Sequence, residues 1–269
     1  MLIIPYALYN PNVMGKILII NKPLGKSPLQ AIYKLKEELP EYKDQTISYA
    51  GRLDPMAEGL LLLLVGDENK KRNGYEDMEK EYEFEVFFGA VTDSYDILGL
   101  IAEYKNYDVK SIEEKTLREL QEFLGEQSQA FPPYSSKPVD GKPLYWWARE
   151  NKLSEITIPE KSINIKEIKH LETNSITSKN LEKIISKRIE LVEGDFRQKE
   201  IISGWENYFG NNNQEEFCVM RFSASVSSGT YIRSLAKKMG EKIGIPSLAF
   251  SIKRTRVGEY TLDGAIELD

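Results

Sequence analysis

The sequence predicts a fold of mixed strands and helices in one large unit, on three observations. An uninterrupted apolar run at residues 60–65, five leucines and a valine, reads as a strand buried on both faces. Residues 82–88 and 217–226 alternate apolar and polar side chains with the period of two that marks half-buried strands. Between these lie stretches with helical spacing and capping residues, at 27–39, 111–123 and 235–243.

The bulk properties narrow the class. At 269 residues, 41% hydrophobic and 29% charged, the chain is an ordinary globular protein able to bury a full core. No run of about 18 apolar residues predicts a membrane span, and the first 14 residues lack the basic-then-apolar pattern of a secretion signal. One cysteine excludes an internal disulfide and a Cys-cluster zinc site, so no metal is expected and the cytoplasm is the default location. The net charge of −6 runs against nucleic-acid binding, which draws on a basic footprint. The cations cluster, however, at Lys22/Lys26/Lys34/Lys36, Lys70/Lys71/Arg72, Lys137/Lys142/Arg149/Lys152, Arg233/Lys237/Lys238 and Lys253/Arg254/Arg256. Each group alone reads as a solvated face; together in space they would form a binding surface.

Taken in order, residues 1–14 lack periodicity and are expected as a loosely held lead-in. Residues 15–20 read as a short buried strand, ending in a turn at 21–26. Ser27 caps the next helix, with Pro28 at its first position, Gln30 completing a capping box, and Leu29, Ile32, Leu35 and Leu39 as the expected buried face. Next comes Gly51-Arg52-Leu53-Asp54-Pro55-Met56-Ala57-Glu58-Gly59, directly before the leucine strand. Pro55 drives Asp54 out of helical angles, and the two glycines permit tight turns, so a short carboxylate is presented from a loop fixed to the core. Taken alone, an Asp-Pro pair more often caps a turn. A charged turn at 66–72 precedes the alternating strand that carries Tyr82.

Ser111 and Glu114 read as a second capping box, for a helix ended by Gly125. Residues 129–149 interleave prolines, aromatics and cations, a composition suited to stacking on RNA and to phosphate contact. Within them, Tyr145, Trp146 and Ala148 can instead form the inner face of a core helix. Residues 156–168 read as irregular chain with one strand, and 173–213 as an inserted helical hairpin. On the strand at 217–226, Cys218 is placed as a small core hydrophobe. His170, the only histidine, is expected to be structural.

Several of these segments resemble the TruB family of pseudouridine synthases, enzymes that isomerise a uridine in the T loop of tRNA. The stretch 51–59 is similar to the family's G-x-L-D-P segment with its flanking M-A-x-G. Asn21-Lys22-Pro23-Leu24-Gly25-Lys26-Ser27 matches the opening N-K-P-x-G-x-S/T turn, and Lys80-Glu81-Tyr82 the K-x-Y strand. Residues 129–149 follow the family's RNA-clamping stretch, Ser227-Ser228-Gly229-Thr230-Tyr231-Ile232-Arg233-Ser234-Leu235 its S-x-G-T-Y-I-R-S/T-L motif, and 254–262 its closing segment. The resemblance implies an α+β pseudouridine synthase fold, a mixed, largely antiparallel sheet flanked by helices, with an RNA-clamping loop at about 127–150 in a catalytic domain spanning 15–269. The family's small C-terminal RNA-binding domain is expected to be absent.

The resemblance also implies the site. Asp54 is expected as the nucleophile, Arg233 as its ion-pair partner and Tyr82 as the ring against the target base. An arginine in the first turn of a helix opposes the helix dipole and calls for a compensating anion, for which Asp54 is the candidate. Lys22, Tyr49, Arg52, Lys70, Lys137 and Tyr231 are carried over as RNA or substrate contacts. Uridine isomerisation needs no redox change and no group donor, so no cofactor is expected; the expected partner is the tRNA T stem-loop, bound by a monomer. Tyr49 stands where the family commonly has a histidine, which bears on target preference. Rival readings are a tRNA-folding chaperone or RNA-binding protein with the same fold, and a synthase acting at another RNA site.

Overall fold

The leucine run lies at the centre of one ten-stranded sheet, with Leu60 to Leu64 wholly excluded from solvent. In the computed structural model, which describes residues 16–268, the chain opens with β1 (Lys16–Lys22), α1 (Pro28–Glu38), β2 (Ile47–Ala50) and β3 (Ala57–Val65). Then come α2 (Arg72–Glu76), β4 (Lys80–Phe88), β5 (Ala90–Thr92), β6 (Ile101–Tyr104), α3 (Val109–Glu119) and β7 (Gly125–Ala130). A small ribbon, β8 (Pro138–Val139) and β9 (Lys142–Pro143), leads into α4 (Leu144–Arg149). The rest is β10 (Glu160–Thr177), α5 (Ser178–Glu190), α6 (Gln198–Asn211), β11 (Glu216–Val226), α7 (Ile232–Ile243), β12 (Ser247–Val257), β13 (Tyr260–Thr261) and β14 (Ile266–Glu267). The lead-in expected at 1–14 falls outside the described residues.

The sheet runs β14-β1-β3-β12-β4-β11-β10-β7, with β13 added to β12 and β2 to β3. The β1/β14 and β12/β3 pairs are parallel and the others antiparallel, so the fold is the mixed, largely antiparallel α+β type expected. Alternation along each strand divides the core. Phe84, Val86, Met220, Phe222 and Leu61 face α1, α3 and α7, while Phe87, Val219, Leu248 and Phe250 face α5 and α6. The α5–α6 hairpin therefore covers the second face of the sheet, with Trp205 of α6 fully buried and its indole donating to the Ile97 carbonyl. No helix among the described residues is long and apolar enough to cross a membrane.

Local chemistry accounts for most boundaries. Ser27 accepts from the Gln30 amide and the Gln30 side chain returns to the Ser27 amide, the reciprocal cap expected at α1. Its buried face is Pro28, Ala31, Ile32 and Leu35; Leu29 is half exposed, because 100° per residue carries it off the Ile32–Leu35 stripe. The cap of α3 is Asp108, three residues before the expected Ser111, and its carboxylate takes the Lys110 amide. In α4 the inward residues are Leu144 and Ala148, while Tyr145 points outward.

The one strand expected within the irregular stretch at 156–168 is β10, which is longer than that stretch, 18 residues. Register shifts at 165/167 and 170/172 break its alternation, which hides it from a period-two pattern. Residues 173–177 of the expected insertion belong to the end of β10, and its first helix begins at Ser178.

Candidate active site

β3 shares one edge between two partners, and the Asp54 loop emerges where they part. β12 runs parallel to residues Ala57 to Gly59, while β2 pairs with Leu62 to Val65. The link from β2 to β3 must cross this gap, and it does so as the segment Gly51 to Met56. Gly51 turns it with φ +73, and the Ala57 amide closes a turn on the Asp54 carbonyl at 3.0 Å. Gly59 lies inside β3 and is required by close approach: a Cβ there would stand 2.3 Å from the Arg254 carbonyl oxygen.

Arg254 holds the loop from beneath. Its side chain is 1% exposed, with Nε donating to the Leu60 carbonyl (2.8 Å) and the two terminal nitrogens to Arg52 (3.4 Å) and Gly51 (3.0 Å). This arginine, grouped by sequence with a surface cluster, is an internal brace. Its neighbours in sequence gave no sign of that, since only the β12/β3 register turns it inward.

Asp54 meets Arg233 across this loop. Arg233 Nε donates to Asp54 Oδ2 at 2.8 Å, Nη1 to the Ser94 carbonyl at 2.7 Å and Nη2 to the Tyr134 carbonyl at 3.2 Å. The guanidinium side chain is 3% exposed, whereas that of Asp54 is 32% exposed. The pair thus has a fixed buried half and a reachable half. Arg233 sits in the first turn of α7, where the helix dipole disfavours a cation, and two carboxylates offset this.

The second carboxylate, Asp96, was not singled out as a site residue. It lies 3.8 Å from Arg233 Nε, accepts from Ser94 Oγ (2.6 Å) and the Leu98 amide (2.9 Å), and is pushed up to about 6 by burial. Burial by itself would lower the Arg233 pKa, but Asp54 and Asp96 outweigh it and hold the guanidinium charged.

A cleft of about 310 Å³ opens in front of Asp54, near the lower limit of roughly 300–1,000 Å³ for ligand pockets. Arg52, Asp54, Tyr82, Tyr231 and Arg233 all line it, so five of the sequence-derived site residues converge. Tyr82 comes from β4, opposite Arg254 in register, and only 8% of it is exposed. Tyr231 precedes α7, and its backbone is clasped by the Gln129 side chain, which accepts from its amide (2.8 Å) and donates to its carbonyl (3.1 Å). Burial, then the Asp54 charge, raises its phenol pKa. Two lysines not foreseen also reach the cleft. Lys80 is brought down to about 8 by burial and then by Arg254, and Lys161 donates to the Ser228 carbonyl at 3.0 Å.

The remaining expected contacts stand elsewhere. Lys22 is fully buried, its ammonium donating to the Pro23 (2.8 Å) and Lys26 (2.6 Å) carbonyls, so it shapes the turn rather than meeting RNA. Tyr49 pairs opposite Leu63 with the Arg72 guanidinium 5.3 Å from its ring, and does not line the cleft. Lys70 follows the far end of β3, about 30 Å of strand from Asp54, and pairs with Asp67 at 2.6 Å. Lys137 is exposed at the rim, over Phe131, whose ring packs on Tyr231. His170 bonds Thr173 at 2.8 Å on β10, consistent with a structural residue. Cys218 is buried and its thiol is pushed up to about 12 by burial, which keeps it unreactive.

The arrangement can perform nucleophilic chemistry: a partly accessible carboxylate held by a buried guanidinium, beside an aromatic ring and cations at the cleft wall. Among the described residues, no three His, Cys, Asp or Glu side chains converge as a metal site would require.

The comparisons with known proteins agree with this geometry. The family model described as "TruB family pseudouridylate synthase (N terminal domain)" matches residues 40–194. The chain is 32% identical to a tRNA pseudouridine synthase B of Bordetella avium, over 94% of this chain and 85% of that one. It is also 32% identical to the protein of that name in Flavobacterium johnsoniae, over 94% and 93%, and 30% to the one in Aquifex aeolicus, over 95% and 73%. Among solved structures, a chain of a Cbf5-Nop10-Gar1 complex shares the fold with a TM-score of 0.55 at 17% identity. That match covers 95% of this chain, which spans about half the length of the other. With its family segment, its relatives and its sheet in agreement, this chain belongs to the TruB family of pseudouridylate synthases.

Proposed function

We propose that this protein is a tRNA pseudouridine synthase that isomerises a uridine of the T loop, with Asp54 as its nucleophile. The observation that carries the reading is the Asp54–Arg233 pair at 2.8 Å, in a cleft lined by Tyr82 and Tyr231. The names of these relatives support the substrate class.

The isomerisation breaks the N1–C1′ bond, turns the base and joins C5 to C1′. Asp54 supplies the carboxylate that forms a covalent adduct, and Arg233 pairs with it and aims it. Tyr82 stacks on the extruded base and assists loss of the C5 proton. The uridine must leave its stack, at a cost of a few kcal/mol that contacts to the rest of the RNA offset. The segment at about 127–150 fits the clamping role: Gln129 ties its base to Tyr231, and Lys137 stands at its exposed rim.

The test is pseudouridine mapping on unmodified tRNA transcript treated with wild type and with Asp54→Ala. A new T-loop pseudouridine with wild type alone supports reaction, nucleophile and target together. Modification of a different uridine overturns the target, and no modification of any RNA overturns the enzymatic reading.

A further inference from the structure

The wall of the cleft in front of Asp54 carries a hydroxyl with nothing to bond. Among the described residues, five have a buried side-chain oxygen or nitrogen without a hydrogen bond: Ser48, Asn69, Thr116, Ser135 and Asn212. Ser135 alone of these lines the cleft, and it is 4% exposed. A buried hydroxyl left unpaired is destabilising, so one that stands in a native interior calls for a reason; a ligand that completes the bond is such a reason. Tyr231 stands close by on the same wall. The Ser135 hydroxyl opposes the rise in the Tyr231 phenol pKa that burial and the Asp54 charge produce, yet Ser135 Oγ completes no hydrogen bond with it.

Both hydroxyls are carried on fixed backbone. Arg233 Nε donates to Asp54 Oδ2 at 2.8 Å and Nη2 to the Tyr134 carbonyl at 3.2 Å, so one guanidinium joins the carboxylate to the residue next to Ser135. The Ser135 carbonyl accepts from the Tyr145 amide at 3.0 Å and the Lys137 carbonyl from the Leu144 amide at 2.9 Å, which ties the same stretch to the start of α4. Tyr231 is held through its own amide and carbonyl by Gln129. Two hydroxyls fixed beside a carboxylate, each able to donate and to accept, match a third hydroxyl, which can donate to one and accept from the other.

Stereochemistry identifies the substrate hydroxyl. In a ribonucleoside the base and the 2′-hydroxyl lie on opposite faces of the sugar. On the reading that Asp54 is the nucleophile, on which this inference rests, a carboxylate oxygen bonds C1′ as the N1–C1′ electron pair leaves with the base. The carboxylate then approaches from the face opposite the base, and that face carries the 2′-hydroxyl. We propose that Ser135 and Tyr231 together hold the 2′-hydroxyl of the target uridine, Ser135 Oγ accepting a hydrogen bond from it and the Tyr231 phenol donating to its oxygen. Tyr82, on β4, is left to the base. The pair sets C1′ against Asp54 and makes the site read ribose, the feature by which a protein tells RNA from DNA at one nucleotide.

Filter binding of synthetic tRNA T-arm hairpins tests this, with uridine, 2′-deoxyuridine or 2-thiouridine at the target position and pseudouridine formation measured in the same samples. Wild type binds the 2′-deoxy RNA about tenfold more weakly than the uridine RNA. In Ser135→Ala the uridine RNA binds about fivefold more weakly and the deoxy penalty shrinks to about twofold, and Tyr231→Phe does the same. Ser135→Ala leaves the melting temperature of the free protein unchanged or higher, because the hydroxyl it removes has no partner there, so the weaker binding is not a loss of folding. A deoxy penalty absent from wild type, or undiminished in either variant, overturns the proposal. A penalty for 2-thiouridine that Ser135→Ala removes, with none for 2′-deoxyuridine, gives the hydroxyl to the uracil carbonyl and also overturns it. If wild type forms pseudouridine in no RNA, the underlying function fails and the proposal with it; pseudouridine formed without discrimination of the ribose is the failure of the proposal alone.

Discussion

Arg233 and Asp54, 179 residues apart in sequence, meet at 2.8 Å, with the guanidinium buried and the carboxylate facing the cleft. The buried partner also holds two backbone carbonyls, those of Ser94 and Tyr134, so it ties three loops to one charge. Arg233→Lys keeps the charge but cannot reproduce this fork. We expect a fall of about 10²–10³-fold in the single-turnover rate of pseudouridine formation, with RNA affinity changed less than tenfold. Arg233→Ala leaves Asp96 buried and unpaired, and should lose about 3–5 kcal/mol of stability in a denaturant titration.

Gly59 is the point where β12 passes closest to β3. A methyl group would meet the Arg254 backbone at 2.3–2.8 Å, at a φ of +102 that an L-residue rarely adopts. Gly59→Ala should cost about 3 kcal/mol or more and lower activity with it, because the same contact seats the Asp54 loop. Thermal melting compared with Gly66→Ala, whose Cβ meets nothing within 4 Å, separates the packing clash from left-handed strain alone.

Lys22 gives a pH signature. Burial, opposed by Asp54 and Glu58, brings its pKa to about 7, below its ordinary value of 10.5. Between these values the unfolded chain binds more protons than the folded one, so this group makes stability rise with pH from 7 to 10.5. Urea titrations at pH 7 and pH 9 should show a smaller rise for Lys22→Met than for wild type. An equal rise in both would mean that Lys22 is not desolvated in solution.

Lys137 and Lys70 separate the two ends of the molecule. Lys137 stands at the rim beside Phe131 and Tyr231, whereas Lys70 lies past the far end of β3 and pairs with Asp67. Lys137→Ala should weaken tRNA binding several-fold and reduce the salt slope by about one, and Lys70→Ala should leave both unchanged. Filter binding across a salt series measures both. A loss with Lys70→Ala would place RNA along the opposite end of the sheet.

What the amino-acid sequence determined by itself was local: the Ser27/Gln30 cap, the leucine strand, the alternation carrying Tyr82, and the Asp54, Tyr82 and Arg233 segments by resemblance. Caps, periodicity and motifs depend on residues a few positions apart, so they survive in one dimension. Two register shifts in β10 concealed its length, because a bulge reverses which side chains face the core. The tertiary structure alone decided which charges are interior. Lys22 and Arg254 look like any surface cation in sequence, yet both lie wholly buried and hold carbonyls of the turns around Asp54. It alone also set Asp96 beside Arg233 and brought the hairpin tip against Tyr134, since strand register and sheet order determine which distant segments share one low-dielectric interior.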